Sequence, residues 1–258
     1  MNKANPNKPL VSVILPVYKS EQYLEACLNS LSNQTYKNIE IVAVVDYLGD
    51  DSLKILRKHR KIDKRLRIYN NLQRYGLAST LNRAVRLARG QYLALMDSTG
   101  IVDRSRINKQ VKFLKNNPKV AVVGSQTTLI NDNNRRISNS IYPLLHEDIY
   151  KHLIGTEAFK FESAMIDRSR LPKDIIKFKK DTAYPFVFAD VFLKIGVYKE
   201  LANLPDTLLR VREIDSQKKS LIRVDKKLSF IKVLFESTTI YEYKPSLKAL
   251  FTPILRQS

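Results

Sequence analysis

The sequence predicts an α/β fold in residues 10–215: a Rossmann-like, mostly parallel sheet flanked by helices. Three observations carry that expectation. Short apolar runs rich in branched residues recur at 11–18 (VSVILPVY), 39–45 (IEIVAVV), 66–69 (LRIY) and 91–96 (QYLALM), and each is too short for a helix. Between them lie segments whose apolar residues repeat at helical spacing. Acidic residues, Asp46 and Asp97, stand where two of the runs end. The order β-α-β-α-β-α-β requires crossover helices, and right-handed crossovers produce a parallel sheet covered on both faces.

Residues 1–9 are polar and hold Pro6 and Pro9, so they read as a loose arm. The first strand is apolar at nearly every position, as a strand buried on both faces must be, and Pro16 ends it. Ser20 is placed to cap a helix whose Leu24, Leu28 and Leu31 share one face. The second strand stops at Asp46 and the turn-prone YLGDD. A helix follows from Ser52 to about Arg60, then the strand Leu66–Tyr69. Gly76 precedes a third helix with Leu77, Leu81, Val85 and Ala88 on one stripe, and Gly90 lies just past its end. Strand 91–96 leads to Asp97. Ile107, Val111 and Leu114 mark a helix at about 104–116, stopped by Asn117-Pro118, and VAVV (120–123) is the next strand. Residues 131–157 read as a polar, turn-rich surface. Asp190 opens an expected helix over VFLKIGVYKEL, with Phe192, Ile195 and Leu201 inward. These elements divide the domain into two halves, 10–130 and 131–215, followed by a basic amphipathic extension (216–258).

A formal charge of +20 implies an anionic partner. Eleven basic residues against Asp63 alone between Arg57 and Arg89 are compatible with nucleic acid, but no aromatic-basic recognition motif accompanies them, so nucleic acid ranks last. The single cysteine, Cys27, excludes an internal disulfide and suits a reducing compartment. Its neighbours Leu24, Leu28 and Leu31 make it core material. The three histidines lack metal-site spacing. Neither a leader peptide nor an apolar run of membrane-spanning length is evident, so the expected location is cytoplasmic. In the extension, Lys218, Lys219, Arg223, Lys226, Lys227 and Lys232 mix with Phe230, Leu234, Phe235 and Phe251. That mixture suits either peripheral attachment to an anionic inner membrane face or a helix packed on the domain.

In open α/β sheets ligands gather outside the carboxyl ends of the strands. Three such ends, Pro16-Val17-Tyr18, Asp46 and Asp97, point at one crevice. Each acid also has a plain structural role open to it, as a turn or strand-end residue.

Three stretches carry a family resemblance: VSVILPVYKSEQYLEACLNSLSNQTYKNIEIVAVVD, RYGLASTLNRAVRLARGQYLALMD and NPKVAVVGS. In order and spacing they resemble the inverting nucleotide-sugar glycosyltransferases of family 2, which have the GT-A fold. The resemblance implies a nucleoside-diphosphate-sugar donor and a carbohydrate or lipid-linked acceptor. It places Pro16, Tyr18 and Asp46 in the nucleoside pocket and Gly76 and Asn82 in the loop and helix beside it. Asp97 matches the first carboxylate of the family's D-x-D element, and Asp190 its general base. Arg210 and Arg212 fall in a segment similar to the family's closing loop, where they are candidates for phosphate binding. The chain departs from the pattern at four places. Thr99 replaces the second metal-binding carboxylate, Ala189 an acid beside the base and Lys19 an asparagine, while DYLGDD replaces adjacent acids followed by glycine. With Asp97 as the only acid of its motif, magnesium or manganese would be held weakly. An active transferase is therefore the first expectation, and a nucleotide-binding or partner subunit without turnover the second.

Overall fold

The computed structural model describes residues 8–155, 158–212 and 223–255. The first seven residues of the expected arm, the 215/216 domain boundary and Lys218 and Lys219 lie outside them. Strands β1 (Val11–Val17), β2 (Ile39–Val45), β3 (Leu66–Asn70) and β4 (Tyr92–Leu95) pair in parallel in the order β3-β2-β1-β4. Helices α1 (Glu21–Ser32), α2 (Ser52–Ile62) and α3 (Leu77–Leu87) are their crossovers. Alternation along β1 feeds two cores. Val13 and Leu15 join Leu24, Leu28, Leu56, Ile107 and Leu114 on one face, while Ile14 joins Leu81, Leu93 and Phe192 on the other.

Past β4 the sheet becomes mixed. Strand β5 is Ile101–Val102, β6 Val120–Ile130, β7 Arg136–Ser140, β8 Met165–Asp167 and β9 Glu200–Arg212. β8 inserts antiparallel between β4 and β6, β9 runs parallel to β6, and β5 closes the edge antiparallel to β9. Helices α4 (Arg106–Asn116), α5 (His146–His152) and α6 (Phe186–Tyr198) complete the domain. Two C-terminal helices, α7 (Arg223–Ile240) and α8 (Leu247–Leu255), pack back on it. The Phe230 and Phe186 rings lie 5.6 Å apart, and a Cβ added to Gly155 would sit 3.2 Å from the Ala249 Cα.

Several local expectations need correction. Ser20 occupies the N-cap position of α1, but its hydroxyl makes no cap bond. It donates to the Tyr18 carbonyl or meets the Ser98 hydroxyl at 2.6 Å, tying α1 to the end of β4. β6 runs seven residues beyond 123, because pairing with β7 and β9 supports its polar half. Residues 131–157 contain β7 and α5 rather than loop alone. α6 starts at Phe186, not Asp190, since Phe186 and Phe188 are buried in its first turn. Asp190 therefore lies in the second turn and caps nothing. Arg210 and Arg212 sit on β9, a strand rather than a closing loop.

Candidate active site

The first group of candidates lies at the ends of β1 and β2. Asp46 follows β2, and its N–H donates to the Val17 carbonyl at 2.9 Å. Its carboxylate folds the loop after β3. Oδ1 accepts from Asn71 Nδ2 at 2.6 Å and the Tyr75 N–H at 2.9 Å, and Oδ2 from the Gly76 N–H at 2.8 Å. Gly76 has φ +82°, a conformation that glycine adopts without the strain of a Cβ. The loop brings Arg74 over the Tyr18 ring at 4.7 Å. Tyr18 meets Tyr47 edge to face at 5.6 Å, and the Lys19 ammonium lies 5.1 Å from the Tyr47 ring. Two aromatic faces with two cations suit a flat base attached to phosphate. Pro16 lies near the end of β1, in register with Val44. Asn82, on α3, is held by another segment. Its amide donates to the Phe178 carbonyl at 2.8 Å and accepts the Phe178 N–H at 2.9 Å, docking that segment on α3.

A second group of candidates centres on Asp97. Its Oδ1 accepts the Thr99 N–H and its Oδ2 the Thr99 hydroxyl, both at 3.0 Å. The turn thus closes on itself, with Thr99 acting as a donor to the acid. Beneath it, the buried Arg106 guanidinium donates to the carbonyls of Leu95, Glu162 and Ala164 at 2.8, 3.2 and 3.3 Å. This clamp brings the 160–164 segment beside the end of β4. Burial, and then the neighbouring Glu162 carboxylate, push the Asp97 carboxyl above the usual range, with Thr99 and Lys160 opposing. Lys160 ion-pairs with Glu162 Oε2 at 3.3 Å. The Tyr184 hydroxyl accepts from the Lys160 ammonium at 3.2 Å and donates to Glu162 Oε1 at 2.9 Å. Burial alone would lower the Lys160 pKa, but Glu162 and Tyr184 outweigh it and keep the ammonium firmly protonated. The sequence reading missed Lys160, Glu162 and Tyr184. The available signal was the alternation AFKFESAMI, in which a charged pair interrupts an apolar run.

The remaining candidates make other contacts. Asp190 is 2% exposed and pairs with Lys179 at 3.0 Å and with Lys194, while Lys179 also pairs with Glu236 of α7. This cluster faces the C-terminal helix and shares no member with the group around Asp97. Arg212 is buried, with Nε on the Thr99 carbonyl at 3.2 Å. Its other nitrogens reach the Asn131 carbonyl and Asn134 Oδ1, each at 2.5 Å, and its guanidinium lies 4.2 Å from the Tyr23 ring. It braces the turn that carries Asp97. Arg210 is exposed, opposite Ile101 of β5.

These residues do not fit a divalent cation well. Such an ion wants several hard anionic oxygens, and no group of three or more His, Cys, Asp or Glu suited to a metal gathers among the described residues. Both Asp97 oxygens already accept from Thr99, and the Lys160 ammonium, close enough to act on Asp97, would repel a second cation.

The sequence profile described as Glycosyl transferase family 2 matches residues 12–183. The chain belongs to that family. The match spans Pro16, Tyr18, Asp46, Gly76, Asn82 and Asp97, and with them Lys160 and Glu162; it ends before Asp190 and the β9 arginines. An uncharacterized glycosyltransferase of Haemophilus influenzae is 31% identical over 91% of this chain and 75% of its own length. The O-antigen biosynthesis glycosyltransferase WbnJ of Escherichia coli is 28% identical over 76% of this chain and 74% of its own. The putative teichuronic acid biosynthesis glycosyltransferase TuaG of Bacillus subtilis is 34% identical over 42% of each chain. Among solved structures, S. aureus TarS 1–349 in complex with UDP superposes with a TM-score of 0.66 at 18% identity, over 93% of this family 2 chain and 76% of TarS 1–349. The mannosyltransferase PcManGT of Pyrobaculum calidifontis, in complex with GDP-Man and Mn2+, superposes with 0.70 at 20% identity, over 96% and 71%. The fold is GT-A: a mixed α/β structure whose central sheet is flanked by helices.

Proposed function

We propose that this family 2 glycosyltransferase moves a sugar from a nucleoside diphosphate, of uridine or thymidine type, to a hydroxyl on a carbohydrate or lipid-linked acceptor, with inversion, during cell-surface polysaccharide or glycolipid synthesis. One observation carries the donor assignment: the Tyr18–Tyr47 aromatic pair, flanked by Lys19 and Arg74, shares the carboxyl edge of the parallel strands with Asp46 and Asp97. UDP in TarS and the polysaccharide pathways named for WbnJ and TuaG support the substrate class. The reaction is a single displacement. The acceptor oxygen bonds to the anomeric carbon as the bond to the β-phosphate oxygen breaks, the electron pair leaves with the phosphate, and the acceptor proton passes to a carboxylate. By resemblance that carboxylate is Asp190, which must first exchange Lys179 or Lys194 for the acceptor. Arg210 is exposed on β9 and retains the phosphate-contact role proposed for it; Arg212 contributes by holding the Asp97 turn.

Calorimetric titration with UDP and with GDP tests the donor site. Asp46→Ala should weaken binding by about 1–3 kcal/mol, because it releases the loop carrying Arg74 as well as any bond to the base. Unchanged affinity would remove Asp46 from the site. A second reading, a nucleotide-binding subunit without turnover, is favoured by Thr99 and by the ion-paired burial of Asp190. Detection of UDP release from UDP-sugars in the presence of acceptor would rule it out.

Attachment to an anionic membrane face, on the cytoplasmic side, belongs to the same proposal. Leu228, Ile231 and Phe235 form an exposed apolar stripe on α7, with Leu247 and Phe251 exposed on α8. No helix among the described residues is long and apolar enough to cross a membrane.

A further inference from the structure

We propose that the Lys160 ammonium is a resident cation for the donor diphosphate, taking the place beside Asp97 that a divalent ion would otherwise fill. This rests on the glycosyltransferase reading of the site and specifies how that site meets phosphate. A diphosphate arriving at the end of β4 brings several negative charges, and its leaving oxygen gains more as the sugar departs. Something cationic must face it. The side chains already near the turn are committed: Arg106 and Arg212 spend their donors largely on backbone carbonyls, and the Thr99 hydroxyl donates to Asp97.

Lys160 is different. Its side chain is 21% exposed, so part of it faces solvent although most is withdrawn from water. An ammonium has three donors, and among the described residues only the Tyr184 hydroxyl takes a hydrogen bond from it. The contact with Glu162 is an ion pair at 3.3 Å, and Glu162 Oε2 has no hydrogen-bond partner among the described residues. Donors are therefore left to turn toward a phosphate oxygen. The ammonium is also preorganised. Arg106 holds the Glu162 backbone, the Tyr184 ring packs edge-on against Phe188 at 6.1 Å, and Phe161 stacks on Phe188 at 5.5 Å. A charge fixed in a partly desolvated setting attracts phosphate more strongly than the same charge in bulk water. It likewise disfavours a metal on Asp97, so loss of the second carboxylate at Thr99 and the presence of Lys160 form a consistent pair.

The alternative is a purely structural Lys160–Glu162 pair that shapes the 158–164 segment. Titration calorimetry separates the two, using UDP, GDP and uridine against the parent, Lys160→Met and Lys160→Arg, in EDTA and in manganese. The parent should bind nucleoside diphosphate in EDTA within about threefold of its affinity in manganese, the difference expected when no metal bridge is lost. Lys160→Met should lose about tenfold or more of that affinity in EDTA, as removal of a charged hydrogen-bond donor implies, while uridine binding stays at the parent level. Lys160→Arg should restore most of it. The parent needs no mutation to fold, so its own titration is decisive: binding that collapses in EDTA overturns the proposal and leaves the donor site standing. So does a Lys160→Met variant that binds diphosphate as well as the parent, or one that loses uridine equally. Failure of the parent to bind any nucleoside diphosphate, with or without manganese, refutes the donor site itself and the resident cation with it.

Discussion

At the scale of single residues, Asp97 and Thr99 act as one unit. The Thr99 N–H and hydroxyl both donate to the Asp97 carboxylate, so the turn satisfies internally an acid that a metal would otherwise neutralise. Thr99→Asp replaces that hydroxyl donor with a second acid and restores a two-carboxylate site. UDP binding should then become sensitive to manganese, gaining about tenfold between EDTA and metal; a variant as indifferent to EDTA as the parent would count against it. Asp190 presents the opposite geometry, an acid held between two lysines and away from that turn. Asp190→Asn keeps its shape but cannot accept a proton, so transfer should fall by ~10² or more with UDP affinity intact. Parent-level transfer by the Asn variant would reduce Asp190 to an ion-pair partner of Lys179 and Lys194.

At the scale of elements, the parallel half is locked by polar joints at helix ends as well as by apolar faces. The clearest joins α1, the end of α2 and the start of β3. Asp63 accepts from the Ser32 hydroxyl at 2.7 Å and from Arg65 Nε at 2.8 Å, and the Ser32 hydroxyl meets His59 Nε2 at 2.9 Å. Burial alone would raise the Asp63 pKa, but bonds from Arg65 and Ser32 outweigh it and hold the carboxyl well below the usual range. A carboxyl depressed in the folded state stabilises above its unfolded value, and that stability is lost as pH falls toward the folded value. Asp63→Asn should therefore unfold more readily than the parent at pH 7, by about 1–3 kcal/mol in denaturant titration. The gap should narrow below about pH 4, where the unfolded parent begins to take up the proton. A gap that stays constant from pH 7 to pH 3 would show that geometry alone, not charge, makes the joint.

At the scale of the whole molecule, net charge and the two C-terminal helices decide how the protein meets its surroundings. One side of α7 is committed: Phe230 and Val233 are buried against the domain, and Glu236 pairs with Lys179. Leu228, Ile231 and Phe235 on the other side remain in solvent, near Lys226 and Lys227. An apolar stripe beside lysines on a chain of charge +20 is suited to an anionic bilayer. Replacing all three stripe residues with serine should lower co-sedimentation with anionic vesicles by at least about tenfold, since two buried CH2 groups lost at roughly 0.8 kcal/mol each already exceed that factor, with an unchanged melting temperature. Raising salt should weaken parent binding further. Sedimentation indifferent to both lipid charge and salt would point instead to a stripe that serves another contact.

Local rules were enough for the crossover half of this protein. Apolar runs of strand length, helical stripes and the glycines at 76 and 90 specify β1 to β4 and their helices, because each depends on neighbours within a few residues. Asp46 and Asp97 were legible for the same reason: they stand where a strand visibly stops. Tertiary structure alone decided the mixed half, where β8 pairs with β4 and β6 across long separations, and no periodicity records such a partner. It also decided which charges meet. Asp190 and Arg212 are site candidates through the family resemblance alone, and long-range packing gives the first Lys179 and Lys194 as partners and the second the backbone of the Asp97 turn. Lys160 and Glu162 look like an ordinary charged pair in an apolar run until the buried Arg106, more than fifty residues earlier, draws their segment against the end of β4. A side chain's type can be read from the sequence; the field it sits in depends on what the fold places around it.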